Sequence, residues 1–432
     1  MWCSLPTEMK LAVVEVLDSD DIKNLSQVNR NTYTACLPST FKNVKISNAQ
    51  ALQSFVTNVP RTYCRYIHRL DLCAEQNAGT VSTTDIVISI LEASPCLEEL
   101  VLHTTGSLHH SIIPCFRQLG KLERLSINHT GQEELRPLSE RLVVSIAASV
   151  PNLKRLSLDR ISRSLMHAPE LHGVFPFVPL VSGDDNIPDH PLLAADLYLP
   201  SLLRIPTLQE LVIRDTHLGD PRWATVPVNC RLQVVDLGSC CHENDEFNSA
   251  CIQRIMGAVG KTVDEFSLTT AVSDSVFAKP SVTPLQRLRK LHISPFFPVD
   301  SVVDTMSNLA GSPIESLSMQ CYEDDVVDVC AALEEFLTIR VERGGSFYEK
   351  LARIDVTVSA SDDSCGQLDP DEDAECKQAA QRLQDLCRDL CLDTQFSKTI
   401  TPAAASRLAR SSGLVLSRWG SPAEGRVRSM TL

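Results

Sequence analysis

The six residues Leu97-Glu98-Glu99-Leu100-Val101-Leu102 decide the fold, because the same spacing of apolar side chains returns along most of the 432-residue chain. An apolar residue is followed by two residues of any kind, a second apolar residue, one free position and a third apolar residue. Ten segments have this spacing, and their second apolar residues are Leu70, Leu100, Leu125, Leu156, Leu211, Val235, Phe266, Leu291, Leu317 and Ile354. Ten matches in order are hard to obtain by chance, so the chain is built from repeats.

The repeats have an irregular period. Successive segments are 24 to 37 residues apart, except for a 55-residue step from Leu156 to Leu211. Most steps lie at or near the 20–29-residue period of leucine-rich repeats. Because alternate side chains of a strand point to opposite faces, each segment should bury its second and third apolar residues and turn the residue between them outward. One repeat cannot cover that apolar edge alone, whereas stacked repeats form one continuous core.

The stretches between these segments have helical patterns. Residues 85–91, 137–150 and 326–340 are amphipathic, and we expect them to form a layer of helices outside the strands. The sequence therefore predicts an α/β fold, a leucine-rich repeat solenoid over residues 47–360 with parallel strands inside and helices outside. The segment Phe41–Ile46 supplies a candidate first strand.

Residues 1–46 have the pattern of short helices instead. Pro6 suits the first turn of a helix, where a missing amide hydrogen costs nothing. Thr7 and Glu8 place a capping group and a negative charge near the positive end of the helix dipole. The polar run of residues 18–21 supplies N-caps for a second helix. A unit this short cannot hold a core alone, so a partner or the rest of the chain must cover its apolar faces.

The order of these N-terminal residues resembles the F-box motif over roughly residues 4–46. With the repeats that follow, the chain is similar to fungal-type F-box proteins with irregular leucine-rich repeats. Thr32 and Tyr33 stand where the motif commonly has a tryptophan. The resemblance implies a three-helix domain that docks on the Skp-type adaptor of a cullin–RING, SCF-type ubiquitin ligase. The residues to be divided between the helical core and the adaptor contact are Leu5, Pro6, Glu8, Val14, Leu17, Ile22, Leu25 and Val28.

The same resemblance implies that the repeats hold an unknown protein substrate. Such a ligase works by tethering its substrate beside the charged ubiquitin carrier, so this chain would be a non-catalytic subunit without a cofactor. The motifs GxGxxG, GxxxxGK[ST], GxSxG and HExxH are all missing from the sequence. The expected substrate surface is the outward, concave side of the strands, represented by Arg69, Arg124, Arg155, Glu210, Lys290, His292 and Arg353.

Two alternatives stay open at this point. Arg124 and Arg155 lie in neighbouring repeats and could grip an acidic or phosphorylated segment. Glu99 stands beside Arg124, however, and the two could instead pair across adjacent strands, as could Glu265 and Lys290. The chain could also be a leucine-rich repeat scaffold with a degenerate F-box and no role in ubiquitination, or it could bind the adaptor in a complex that never ubiquitinates anything.

The net charge of −14 argues against nucleic-acid binding, which needs clustered Lys and Arg. No apolar run approaches the ~18 residues that span a bilayer, and Glu8, Lys10 and Glu15 interrupt any secretory signal. We therefore expect a cytoplasmic or nuclear protein without membrane partners. The 16 cysteines suit reduced, buried thiols better than disulfides. Cys240-Cys241-His242 lacks a second ligand pair at zinc-site spacing, so we expect no metal.

Two further segments depart from the repeat. Residues 163–206 contain seven prolines and the pair Asp184-Asp185, which leaves a tolerated insertion, a partner-binding loop and a disordered excursion open. Residues 361–432 are expected to be an acidic linker, an amphipathic helix over residues 374–392 and a disordered basic tail. The helix could cap the end of the solenoid or bind a partner.

Overall fold

The computed structural model describes residues 5–75, 82–174, 177–272, 285–295, 297–344, 346–359 and 370–399. The described chain divides into two compact units, residues 5–208 and 209–399. Each unit is a mixed α/β structure with a parallel sheet whose strands pair in chain order. The predicted mixed α/β class and the predicted parallel strands are therefore confirmed.

The sheet of the first unit follows the repeat pattern. Its strands are β1 (Asn43–Ile46), β2 (Arg69–Ala74), β3 (Glu99–Thr104), β4 (Arg124–His129) and β5 (Arg155–Asp159). The register places the second apolar residue of one repeat opposite that of the next, as in Leu70–Leu100 and Leu100–Leu125. Leu100 and Leu102 are 0% and 1% exposed, whereas Val101 between them is half-buried. The predicted alternation of inward and outward side chains is confirmed.

The helices of the first unit are α1 (Thr7–Glu15), α2 (Ser19–Ser26), α3 (Arg30–Thr40), α4 (Ala49–Asn58), α5 (Thr83–Glu92), α6 (Ile113–Phe116) and α7 (Glu140–Ser149). The first three precede the first strand of the sheet, β1, whereas α4 and α5 flank and contact the second strand, β2. The helices predicted at residues 85–91 and 137–150 are both present. The second of them begins late, because the Ser139 hydroxyl accepts the backbone N–H of Arg141 and so caps α7.

The segment 163–206 is folded where the structure describes it. A short parallel pair, β6 (Arg163–Ser164) and β7 (Leu180–Val181), lies within it. Asp184 is buried and accepts hydroxyl hydrogen bonds from Ser139 at 2.6 Å and from Ser164 at 2.8 Å. These bonds attach the segment to the first turn of α7, so the described part of this stretch is not a disordered excursion.

The second unit continues the pattern with a seven-stranded sheet among its described residues. The strands are β8 (Glu210–Arg214), β9 (Val234–Leu237), β10 (Glu265–Leu268), β11 (Lys290–Ile293), β12 (Ser316–Tyr322), β13 (Arg353–Ser359) and β14 (Asp393–Thr399). The helices are α8 (Asp245–Val259), α9 (Val302–Asn308), α10 (Val326–Arg343) and α11 (Pro370–Asp389). None of the described helices in either unit combines the length and the apolar character that crossing a bilayer requires.

The end of the described chain differs from its prediction. Helix α11 runs over residues 370–389 instead of 374–392, and it therefore includes the end of the stretch predicted as an acidic linker. Strand β14 was not predicted, and most of it falls in the expected basic tail. Its register places Thr394 opposite Ile354, so a polar residue occupies the position where the other repeats are apolar. The rest of the predicted linker and tail, residues 361–369 and 400–432, lies outside the described residues.

The described cysteines are free, and nine of them are buried. Burial raises the pKa of Cys230 to about 11 and the pKa of Cys240 and Cys321 to about 12. Such thiols stay protonated at neutral pH and pack as small apolar groups. Among the described residues, no group of three or more His, Cys, Asp or Glu side chains is arranged to hold a metal ion.

Candidate protein-binding surfaces

An apolar surface lies on the N-terminal helices. Five large apolar side chains are exposed there, and we call them the apolar helix surface: Met9 (53% exposed), Leu11 (37%), Val13 (38%), Val16 (82%) and Val28 (67%). Three of them, at positions 9, 13 and 16, follow helical spacing and so share one face. Exposed apolar side chains that share a helical face make that face a candidate for binding another protein.

Side-chain caps position the second and third helices of this surface. The Asp18 carboxylate accepts the N–H of Asp21 at 2.8 Å and starts α2, which confirms the predicted N-cap in residues 18–21. The Asn29 side chain accepts the N–H of Thr32 at 3.0 Å and starts α3. The cap expected from Thr7 is not formed, because Pro6 precedes α1 and no side chain caps it.

The predicted adaptor residues occupy different depths in these helices. Val14 is fully buried, so it belongs to the interior of the unit, which is one of the two places expected for members of this set. Pro6, Glu8 and Val28 are exposed. The half-buried members are Leu5, Leu17, Ile22 and Leu25. The expected set thus divides between interior and surface.

Four members of the apolar helix surface were missing from the predicted set. The signal was present in the sequence, because Met9, Val13 and Val16 have the spacing of one helical face. Spacing identifies a face without saying whether it points inward or outward.

Thr32 and Tyr33, which stand where the F-box motif commonly has a tryptophan, are fully buried and half-buried, respectively. Burial, and then a hydrogen bond with Tyr63, raises the pKa of Tyr33 to about 12.

A second candidate surface is the outward side of the strands in the first unit. We call it the charged strand face and define it as Lys45, Arg69, Asp71, Glu99, His103 and Arg124. Glu99 on β3 lies between two arginines, with Oε1 at 3.3 Å from Nε of Arg69 and Oε2 at 3.1 Å from a terminal nitrogen of Arg124. Register explains this contact, because residues 69, 99 and 124 are paired across β2, β3 and β4.

A second carboxylate on this face also joins neighbouring strands. Asp71 is 3.2 Å from Nζ of Lys45 on β1 and 3.3 Å from Nε2 of His103 on β3. The Asn128 amide nitrogen lies 3.5 Å from the other ring nitrogen of His103.

The outward side of the second unit has pairs of the same kind. Asp236 is 2.7 Å from Arg214, and Glu265 is 3.4 Å from Lys290. On β13, Asp355 is 2.6 Å from Nε of Arg353, and a terminal nitrogen of Arg353 donates to the Gln395 side-chain oxygen at 3.0 Å. The expected cross-strand pairs of Glu99 with Arg124 and of Glu265 with Lys290 are therefore confirmed.

His292 lies among these pairs on β11. Its Nδ1 is 3.2 Å from the hydroxyl of Ser318 on β12. Burial lowers the pKa of His292, and this effect exceeds the opposing influence of Asp236 and Glu265. The imidazole is therefore neutral at physiological pH and acts as a hydrogen-bonding group rather than a cation.

The remaining predicted substrate residues, Arg155 on β5 and Glu210 on β8, begin their strands as the register of the repeats requires.

Sequence reasoning missed Lys45, His103 and Arg214. Lys45 lies in the candidate first strand, and the other two come one position after the third apolar residue. Continuing the two-residue alternation past that residue would have found both.

No known protein family matches this sequence, and no curated protein matches it. Among solved structures, a chain in the crystal structure of the Rad7 and Elc1 complex in yeast matches with a TM-score of 0.35 and 14% sequence identity. The match covers 84% of this chain and 97% of that chain.

Proposed function

We propose that this protein is the substrate-recognition subunit of an SCF-type ubiquitin ligase, acting in the cytoplasm or nucleus. Its N-terminal helices form an F-box that docks on a Skp-type adaptor, and its repeats form a leucine-rich repeat solenoid that holds the substrate protein. The observation that carries the proposal is the apolar helix surface, where Val16 and Val28 are 82% and 67% exposed. These side chains lie within the stretch whose residue order resembles the F-box motif.

The energetics of docking support this assignment. Fully burying an exposed valine, leucine or methionine side chain contributes about 1.5–3 kcal/mol. The exposed side chains Met9, Val13 and Val16, which share one helical face, are anchors of the kind that an interface built mainly on apolar contact uses. The half-buried residues Leu17, Ile22 and Leu25 connect this surface with the interior. Substitutions of these half-buried residues would disturb the fold as well as the interface. Substitutions of the most exposed residues therefore test docking more directly.

The division of labour follows from the two surfaces. Binding the adaptor at the N terminus fixes the protein on the ligase, and binding a substrate on the repeats raises the local concentration of its lysines beside the charged ubiquitin carrier. Catalysis by proximity needs no acid, base or nucleophile in this chain. The proposal therefore describes a non-catalytic subunit without a cofactor.

Co-purification with a recombinant Skp-type adaptor tests the proposal. The wild-type chain should retain the adaptor, and the double variant Val16→Asp/Val28→Asp should lose it, because a carboxylate cannot be buried in an apolar interface without several kcal/mol of cost. The matched control is Val341→Asp, which changes a valine that is 59% exposed on α10 of the second unit. This control should bind like the wild type.

Failure of the wild-type chain to retain the adaptor would favour a leucine-rich repeat scaffold with a degenerate F-box. If the adaptor binds, cullin inhibition separates the remaining cases. A substrate should accumulate when the cullin is inhibited, whereas an unchanged level of a bound partner indicates a complex that does not lead to degradation. Each outcome thus selects one of the three functions.

A further inference from the structure

We propose that the charged strand face of the first unit binds an acidic segment of a partner polypeptide, through its carboxylate side chains. The inference rests on the proposed function in one respect, since it assigns the chemistry of the substrate to the surface that would hold it. The observation behind it is that the positively charged side chains of this face are more exposed to solvent than the carboxylates that pair with them.

The cations of this face project farther into solvent than the carboxylates that pair with them. The side chains of Arg69 and Arg124 are 56% and 50% exposed, whereas Glu99 between them is 19% exposed. Lys45 is 74% exposed above Asp71, which is 23% exposed. A ligand that approaches the strands therefore meets positive charge first, although the chain as a whole has a net charge of −14.

In the second unit, too, the cations are more exposed than the carboxylates that pair with them, but the number of cations per carboxylate differs. Arg214 is 62% exposed against 19% for Asp236, and Lys290 is 66% exposed against 40% for Glu265. These are pairs of one cation with one carboxylate. In the first unit two guanidinium groups share the single carboxylate of Glu99, which leaves one positive charge in excess and makes this face the better anion site.

The geometry of the shared carboxylate leaves donors for a ligand. A guanidinium has five N–H donors, and the contact with Glu99 involves Nε of Arg69 and one terminal nitrogen of Arg124. Glu99 thereby holds both arginines in position while their outer N–H groups face solvent. Carboxylates accept paired hydrogen bonds from a guanidinium, so the side chains of Asp and Glu fit this arrangement.

The distance between the two arginines indicates how the acidic residues of the ligand should be spaced. Arg69 and Arg124 are two strands apart, or about 10 Å at the usual distance between strands. A peptide in the polyproline II conformation has three residues per turn and advances about 3.1 Å per residue, so a segment crossing the strands would bring acidic side chains three residues apart onto the two arginines. Repulsion from the rest of the acidic chain is screened beyond about 8 Å at physiological ionic strength.

Fluorescence anisotropy with a defined probe tests the inference on the full chain. The probe is a labelled peptide of repeating Glu-Gly-Ser, and its neutral counterpart is repeating Gln-Gly-Ser. At physiological ionic strength the wild type should bind the Glu peptide at least about tenfold more tightly than the Gln peptide. The variant Arg69→Gln/Arg124→Gln should lose this preference. The matched control is Arg382→Gln, on the helix layer, since Arg382 is 58% exposed beside Glu334 and the control should keep the preference.

A further variant separates binding from damage to the fold. Glu99→Gln removes the internal competitor for both arginines, so it should bind the Glu peptide several-fold more tightly than the wild type. Damage to the fold would weaken binding instead. Equal affinity of the wild type for the two peptides, or a preference that survives in the double arginine variant, would overturn the inference. Adaptor co-purification is measured on the same variants and should be unchanged, so that this inference and the proposed ligase role fail independently.

Discussion

Glu140 is fully buried and its Oε1 lies 3.0 Å from Nδ1 of His167, which joins the first turn of α7 to the segment that departs from the repeat. Arg141 approaches the other ring nitrogen at 3.2 Å, and a guanidinium can only donate. The imidazole hydrogen is therefore on Nδ1 and is donated to Glu140. Glu140 also accepts the backbone N–H groups of Ser164 at 3.0 Å and Leu199 at 3.3 Å.

This carboxylate should be a main source of stability in the first unit. Glu140→Gln removes the buried negative charge that lies 3.9 Å from Arg163, a side chain that is 2% exposed. Removing one partner of a buried charge pair costs about 3–5 kcal/mol. Urea unfolding should show a loss of that size, whereas Glu134→Gln, at an exposed glutamate, should stay within about 0.5 kcal/mol of the wild type. A loss below about 1 kcal/mol for Glu140→Gln would contradict this account.

Stability should fall as the pH is lowered through the range where histidine titrates, with a contribution from His190. Burial and then the charge of Arg117 lower the pKa of His190 below the value of about 6.5 that it has when unfolded. The unfolded chain thus binds more protons than the folded one near pH 6, and the free energy of unfolding rises with pH there. The contribution is complete above the unfolded pKa and is lost as the pH falls toward the folded one.

The hydrogen bonds of His190 show which protonation state of its imidazole burial favours. Its Nδ1 accepts the N–H of Leu192 at 3.2 Å, and its Nε2 lies 3.2 Å from the hydroxyl of Ser149. Both contacts suit a neutral imidazole. His190→Gln should flatten the dependence of the unfolding free energy on pH between about 5 and 7, measured by urea titration at each pH. Equal slopes for the variant and the wild type would argue against this role.

Two successive turns of the first unit approach each other so closely that replacing one glycine there should lower stability. A Cβ on Gly131 would lie 2.7 Å from the backbone oxygen of Thr105, in the turn that leaves the preceding strand. Gly131→Ala should therefore cost about 1–3 kcal/mol, because backbone must move to admit the methyl group. Gly120→Ala has nothing within 4 Å and should be neutral or stabilising by up to about 1 kcal/mol. Equal thermal stability of the two variants would refute the close approach.

Much of the sheet could be predicted, because the apolar spacing of a repeat is local. Each of the ten predicted segments overlaps a strand of the sheets, and Phe41–Ile46 contains β1. Strand β14 could not be found in this way, since Thr394 replaces the second apolar residue. The folding of residues 163–206 was also beyond reach, because Glu140 and Leu199 are 59 positions apart and nothing local indicates their hydrogen bond.

The two candidate surfaces were predictable to different degrees. Strand alternation identified which residues of the repeats point outward, including Arg69 and Arg124, and the register then explains why both meet Glu99. Helical spacing placed Met9, Val13 and Val16 on one face without saying whether the protein itself covers it. Only the packing of the three N-terminal helices decides that Val14 is the buried residue of α1.

Isothermal titration calorimetry of the full chain with a Skp-type adaptor, at several temperatures, tests the central claim most directly. Docking through the apolar helix surface predicts a one-to-one complex with a negative heat-capacity change, the mark of apolar burial. Val16→Asp/Val28→Asp should weaken binding by about 100-fold or more, which corresponds to about 3 kcal/mol. The absence of binding heat at every temperature, or wild-type affinity in the double variant, would contradict the claim that these helices are an adaptor-docking F-box.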